Sequence, residues 1–359
     1  MKKTFRELTL SEFEHFTKQC PSKNYMQSPN MYRRYQANHR ESYLLGLLDG
    51  DKVVVAGIVS VIFEKLGQKI FSFSRGPLSN DYNVDDFIVF LQECKKFLKS
   101  KHGLIVQISP NVLVPDAPAD FNKALVKHGL KDLGEYEQVK WIYTIDFSKI
   151  DNLPVVTKKH PKMPILNPEI TEADAQTLFR TFRSGHRYTI RYATDRYGLT
   201  LRELPPEEYS ILLKLMEESG KVHGFVPREQ QFFEQLKEHF GSQVAAIVAE
   251  TPDKIPVAVG FFILYGDEVI YLSSGFSREH KKLGGPHLIQ WAMIKYAYAN
   301  GYRKYNFWGT NPDPENGVYK FKHGFHGEIE EYVGTFAMPL SPVGKIYLQK
   351  LHYANHRDI

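Results

Sequence analysis

Cysteine is nearly missing from this chain: Cys20 and Cys94 are the two in 359 residues, and they sit in no metal-ligand spacing. That excludes a disulfide framework and a thiolate metal centre, and it is the usage of a reducing compartment. Neither cysteine lies in a nucleophile motif, so both read as buried bystanders. Long apolar runs are also absent. No stretch approaches the roughly 18 residues that would span a bilayer, and the basic start Met1-Lys2-Lys3 is not followed by the apolar region of a signal peptide. The expectation is a cytoplasmic protein. Excess charge is lacking too, since 46 Lys and Arg against 41 Asp and Glu leave only +5. A phosphate-bearing partner is permitted by that balance but not demanded. Histidines are present, yet His280, His287, His323 and His326 match no zinc spacing, so no metal is expected. What remains is globular: 42% hydrophobic and 13% aromatic residues, in a chain too long for one ordinary core and suited to two domains.

The most informative stretch runs from Val269 to Phe336. Val269-Ile-Tyr-Leu-Ser-Ser reads as a strand, and a charged, glycine-bearing turn follows it from Arg278 to Pro286. Leu288, Ile289, Ala292, Ile294, Ala297 and Tyr298 recur at roughly helical spacing, and Gly301 stands where a helix C-terminus wants glycine. Lys304-Tyr-Asn-Phe-Trp-Gly then reads as a buried strand closed by a Pro/Asp/Asn/Gly loop. The first half of the chain repeats this order. Two β-rich runs flank Asp49-Gly50-Asp51 as a hairpin, Lys69 to Ser74 is a third strand, Asp85 to Lys99 an amphipathic helix, and Gly103 to Ser109 a strand after it. A further strand, Lys140 to Asp146, is expected to close this half, and Ser11 with Glu14 fits a capping box before it. Four prolines between Asp151 and Pro168 mark a linker. Residues 173–198 read as one cationic helix carrying Arg180, Arg183, His186, Arg187, Arg191 and Arg196 among Phe179, Phe182, Tyr188 and Tyr192. Strand, turn, helix, strand is the layout of a GNAT-type acyltransferase, so the expected fold is α/β with two GNAT-like domains in tandem. Their bounds are 1–150 plus 336–359, where a C-terminal helix over 342–355 returns, and 151–335.

Two segments carry a closer resemblance. "HLIQWAMIKYAYANGYRKYNFWGT" and "GVYKFKHGFHGEIEEYVGTF" resemble the Fem family of peptidoglycan bridge aminoacyltransferases. The resemblance implies transfer of an amino acid from aminoacyl-tRNA to the stem-peptide lysine of a cell-wall precursor, either nucleotide-linked (the UDP-pentapeptide) or lipid-linked (lipid II). It implies no cofactor beyond the aminoacyl-tRNA co-substrate, no DNA, a monomer, and peripheral contact with the inner face of the membrane. Family members that build longer bridges carry a coiled-coil arm in the second domain; no heptad run appears here, so the compact form is expected.

The resemblance also assigns residues. Phe321 and Lys322 match a Phe-Lys pair whose cation stands opposite the oxyanion formed in ester aminolysis. Because the nucleophile is the substrate's amine, no Ser-His-Asp or Cys-His set is needed. Arg33 and Arg34 follow a Gln-Ser segment whose nearby cation meets substrate phosphates. Lys221 and Arg228 stand near a further substrate-binding cation, and Tyr271 lies on the strand that opens the informative stretch. Arg187 and Arg191 are the expected contacts to tRNA or precursor phosphates. At Ser109-Pro110 the family usually has an acidic residue before proline, so a general base there is dispensable or comes from elsewhere. Bland alternatives stand beside each assignment. Lys320 and Lys322 read by pattern alone as the exposed face of a surface strand, and the arginines as solvated helix faces. Gly284-Gly285 before a helix could instead cradle the pyrophosphate of an acyl-CoA, the mark of an N-acetyltransferase. A non-catalytic RNA-binding module would account for the basic helix alone.

Overall fold

The computed structural model describes residues 3–136, 138–156, 164–224 and 226–355. The chain divides into two compact units, residues 1–140 with 330–359, and residues 141–329. In the first, β1 (Thr4–Glu7) leads into α1 (Leu10–Gln19) and α2 (Pro29–Ala37). The capping box lies two residues earlier than Ser11 and Glu14. Thr9 has the extended backbone a cap needs; its hydroxyl accepts from the Glu12 amide while the Glu12 carboxylate accepts from the Thr9 amide. β2 (Ser42–Asp49) and β3 (Lys52–Lys65) form the expected hairpin, with Gly50 at a φ of 60° in its turn. β4 (Gln68–Phe73), β5 (Leu78–Ser79), α3 (Val84–Ser100), β6 (Gly103–Ile108), α4 (Phe121–Lys127) and β7 (Lys131–Gly134) follow. α3 buries Phe87, Phe90, Leu91, Cys94 and Leu98 on one face against the sheet. It makes the crossover that lets β4 and β6 run parallel.

The second unit begins with β8 (Trp141–Asp146). This strand does not close the first half as expected; it pairs antiparallel with a strand 160 residues later in the chain's second sheet. The cationic segment is two helices, α5 (Glu172–Thr181) and α6 (Ser184–Asp195). Phe182 breaks them: its backbone turns extended so that its ring can bury against Trp291 and Phe325. Then come β9 (Thr200–Glu203), α7 (Tyr209–His223), α8 (Gln230–Phe240), β10 (Val244–Glu250), β11 (Pro256–Tyr265) and β12 (Glu268–Phe276). α9 (Gly285–Ala299), β13 (Lys304–Gly309), α10 (Gly317–His323) and β14 (Glu328–Glu331) complete it. The sheet order is β14-β8-β13-β12-β11-β10-β9. α9 is apolar nearly all round and buried along most of its length, as a core helix must be. Of the linker expected over 151–168, residues 157–163 lie outside the described residues.

The chain then returns to the first unit. β15 (Thr335–Pro339) inserts between β6 and β7, completing the order β1-β2-β3-β4-β6-β15-β7 with β5 beside β3. α11 (Pro342–Asn355) follows it. Each sheet thus carries a parallel pair bridged by a helix packed against it, the α/β architecture read from the sequence.

Helix α7 lies unusually close to β12. A Cβ added at Gly275 would stand 2.4 Å from the backbone carbon of Leu215 and from the nitrogen of Met216. Backbone cannot yield as a flexible side chain can, so Gly275→Ala is expected to cost roughly 3 kcal/mol through overpacking. A urea titration checks this, with a wild-type midpoint in the variant as the contrary outcome.

Candidate active site

The site grows from a place where a sheet comes apart. β12 and β13 pair only through Glu268 with Lys304, Val269 with Tyr305 and Ile270 with Asn306. Beyond Ile270, β12 bulges at Leu272, since Phe261 faces Ser273 while Phe262 faces Tyr271. Beyond Asn306, β13 is irregular as well: its next partner on β8 is Gly309, opposite Ile142. Between them Trp308 has a φ of 63°, a left-handed backbone that a bulky residue adopts only when its surroundings impose it. The imposition is visible. The Asn306 side chain accepts from the Trp308 amide at 2.8 Å, its own amide donates to Glu268 at 2.7 Å, and the Thr310 amide is tied to the Trp141 carbonyl.

This bulge turns two carbonyls toward one side chain. Lys322 Nζ donates to the Trp308 oxygen at 3.4 Å and, more closely, to the Gly309 oxygen. Lys322 is 5% exposed. Burial pushes its amine down to about 7, while the two carbonyls favour the charged form. Lys322 does not lie on a surface strand. It belongs to the last turn of α10, capped by Asn316, whose side chain accepts from the amides of Val318 and Tyr319. Two positions apart on a helix point different ways, so Lys320 is exposed and pairs with Glu315 at 2.8 Å while Lys322 turns inward. Tyr143 fixes the same turn. Its hydroxyl donates to the Gly327 carbonyl at 2.6 Å, so the bond of 3.0 Å to His323 is one in which the histidine Nδ1 is the donor.

Phe321 and Lys322 are therefore together, and Tyr271 lies in the same unit on the splayed strand. Tyr271 is buried, stacked on Phe262 at 5.3 Å, and its hydroxyl is pushed up to about 12 by burial. Gln290 lies in the same core and accepts from Tyr305 at 2.6 Å. Arg187 and Arg191 are on α6. Arg187 is anchored to the carbonyls of Arg180 and Phe182, both at 2.9 Å, and Arg191 lies 5.2 Å over the Phe179 ring. Along α6 they line an open cleft of about 600 Å³ with Ser184, Tyr188, Tyr192, Asp195 and Arg196. Lys221 and Arg228 are exposed near the end of α7 and before α8, Arg228 4.5 Å over Phe232. In the first unit, Arg33 is exposed and paired with Glu14, and Arg34 is half-buried beside Met31. Ser109 is buried there with its hydroxyl 2.9 Å from that of Thr335. Trp308, Asn306 and Tyr143 escaped the sequence reading because backbone carbonyls and a left-handed φ leave no side-chain signature.

The glycine turn before α9 is filled. An added Cβ at Gly284, whose φ is 80°, would meet Thr189 at 2.8 Å and Ala193 at 3.4 Å, both on α6. One at Gly285 would meet Ala258 at 2.8 Å. These glycines admit α6 and β11 closely against the start of α9.

Comparison with known proteins identifies the family and the fold. The model of the FemAB family matches residues 8–252 and 242–352. Among curated proteins, the aminoacyltransferase FemB of Staphylococcus epidermidis is 26% identical over 425 aligned positions, covering 94% of this chain and 95% of that protein. An alignment longer than this chain means that FemB carries inserted segments the chain lacks. Among solved structures, FemX superposes with a TM-score of 0.75 at 18% identity, covering 94% of this chain and 97% of that one. A tandem GNAT protein from the clavulanic acid biosynthesis pathway superposes with a TM-score of 0.54 at 10% identity, covering 95% of this chain and 99% of that one. The fold is that of tandem GNAT-like acyltransferases.

Proposed function

Because the chain belongs to the FemAB family, we infer that it is an aminoacyltransferase of peptidoglycan bridge formation, moving an amino acid from aminoacyl-tRNA to an amine of a peptidoglycan precursor. The observation that carries the chemical reading is the buried Lys322 amine. An ammonium has three N–H donors, and two of these meet the carbonyls of Trp308 and Gly309. The third remains for a substrate oxygen.

In the reaction the acceptor amine attacks the ester carbonyl of the donor. A C–N bond forms, the carbonyl oxygen gains negative charge, and the ester C–O bond then breaks. The terminal ribose hydroxyl leaves with the proton shed by the amine. Lys322 stands opposite the oxyanion, where a cation held in a dry site is worth far more than in water. It is preorganised, because its two carbonyl partners fix the amine before substrate arrives. Ser109, spent on Thr335, takes no proton, and the acceptor amine enters already neutral. In this reading Tyr271, Lys221 and Arg228 of the second unit and, separately, Arg33 and Arg34 of the first are the further substrate contacts, the cations being suited to precursor phosphates. Among the described residues no helix is long and apolar enough to cross a membrane.

Lys322→Ala is expected to cut turnover by about 100-fold or more while leaving precursor affinity within a few-fold, since the cation acts on the transition state rather than the ground state. The pH dependence carries a sign. A lysine acceptor with an ordinary pKa of about 10.4 must be neutral, so the rate climbs with pH while Lys322 keeps its proton. Lys322 passes its midpoint at about pH 7, and above it the falling protonated fraction offsets the growing neutral fraction of the acceptor, so the profile levels. Lys322→Arg stays charged and should keep climbing past pH 8, at a lower rate. Transfer from charged tRNA measured between pH 6 and 9, beside direct precursor binding, tests both. Near-normal turnover in Lys322→Ala would overturn the assignment.

The α6 cleft is assigned to the tRNA or to precursor phosphates through Arg187 and Arg191. Arginines already anchored on carbonyls or a ring lose little freedom on meeting a phosphate. Replacing both by Ala should weaken tRNA binding and flatten the plot of log affinity against log salt by about one per lost contact. Unchanged slope and affinity would leave α6 a solvated face.

A further inference from the structure

Helix α10 has seven residues, too few to hold itself together, so the direction in which Lys322 points depends on what grips it. At its C-terminal end the carbonyls run out of helical partners. Those of Lys320, Lys322 and His323 accept from the amides of Gly324, Phe325 and His326. The Phe321 carbonyl is served from another helix: it lies 2.8 Å from Nε2 of His186 on α6. A carbonyl only accepts, so Nε2 carries the proton. Burial lowers the pKa of this imidazole, with Arg183 adding to it, and outweighs the opposite pull of the Phe321 carbonyl. His287 faces it from α9 and is itself pushed down to about 3, chiefly by burial. Both rings are therefore neutral near pH 7, and His186 donates as the Nε2–H tautomer.

The fit around that ring is close. His287 lies 4.6 Å away at 71° and Phe325 4.7 Å away at 86°. A Cβ added at Gly324 would fall 1.9 Å from Cε1 and 2.0 Å from Nε2 of His186, so only glycine there admits the imidazole. One turn back, the Arg183 amide donates to the Gly324 carbonyl at 3.0 Å. The start of α6 thus clasps the end of α10 at two carbonyls. One of them belongs to the peptide unit whose nitrogen is that of Lys322.

We propose that His186 is a positioning residue of the transfer reaction. Its Nε2–H bond to the Phe321 carbonyl fixes the peptide plane from which Lys322 reaches the carbonyls of Trp308 and Gly309 and the substrate oxygen. The proposal rests on the reading of Lys322 as the oxyanion-side cation. Losing the bond lets that plane turn, and a displacement of about 1 Å at the amine is enough to cost on the order of 100-fold in rate without loosening substrate.

The test compares three variants with wild type in aminoacyl transfer from charged tRNA to precursor. His186→Phe keeps a ring in the same slot and removes the donor. His186→Gln places an amide nitrogen near the reach of Nε2, and His186→Asn places it short. Expected are a fall in kcat of about 10- to 100-fold for Phe and for Asn, recovery to within about 5-fold for Gln, and a precursor KM within about 3-fold throughout. Full turnover in His186→Phe, equal behaviour of Gln and Asn, or KM rising as kcat falls would overturn the proposal. Lys322→Ala in the same assay separates the two readings. If it is inactive while His186→Phe is normal, the positioning role alone fails; if it turns over normally, the cation reading fails and this one with it.

Discussion

Everything at the site answers to one buried amine. Moving a lysine from its ordinary pKa near 10.4 to about 7 corresponds to a penalty on the order of 5 kcal/mol against the charged form. The sign follows from linkage. The unfolded chain binds this proton more tightly, so the penalty is fully present below about pH 7 and is gone above about pH 10.5. A fold keeps such a group only if its surroundings offer it something, and here they offer two backbone carbonyls. Those carbonyls are available only because Trp308 takes a left-handed backbone, which Asn306 holds and Glu268 in turn steadies through the Asn306 amide. The chain of causes runs from a carboxylate on β12 to an ammonium on α10, entirely through side chains and backbone of the second unit.

The splay of β12 and β13 gives that chain its purpose. Parallel neighbours joined by a buried crossover helix would ordinarily pair along their shared length. Here the pairing stops after three residues, and both strands carry an irregularity just past the stopping point. Bulges at such places re-aim side chains and end pairing. Backbone groups released from the ladder must go somewhere, and the carbonyls of Trp308 and Gly309 go to Lys322. The opening of the sheet and the burial of the cation are thus one arrangement.

Much of this was legible in the residues. Apolar runs and glycine turns placed the longer strands, and the periodicity of residues 288–298 placed α9. Other things were not. Trp141–Asp146 looks like any buried strand, and only pairing with β13, set by tertiary contact, decides which sheet takes it. Residues 173–198 are helical in pattern, but the cost of leaving Phe182 in water outweighs helix continuity. β15 is five residues ending in Pro339, too short for periodicity to show. Lys322 is the instructive case. Lys-Phe-Lys alternates as a surface strand does, and burying one of two identical lysines is a choice made by the carbonyls it meets. The resemblance to the Fem family singled it out, while the residue pattern alone pointed the other way.

The glycines at the start of α9 serve packing. Glycines ahead of a helix are ambiguous in a sequence, since they serve an anion approaching the backbone and equally a neighbouring helix packing tightly. Here the second use has taken the position, with Thr189 and Ala193 of α6 seated on Gly284. The α6 helix seated there also carries His186, whose bond grips α10. The same helix turns Arg187, Arg191 and Arg196, with Tyr188 and Tyr192, outward into an open cleft. That outer face, with its cations and paired tyrosine rings, fits the proposal that the phosphates of the donor stay outside the core.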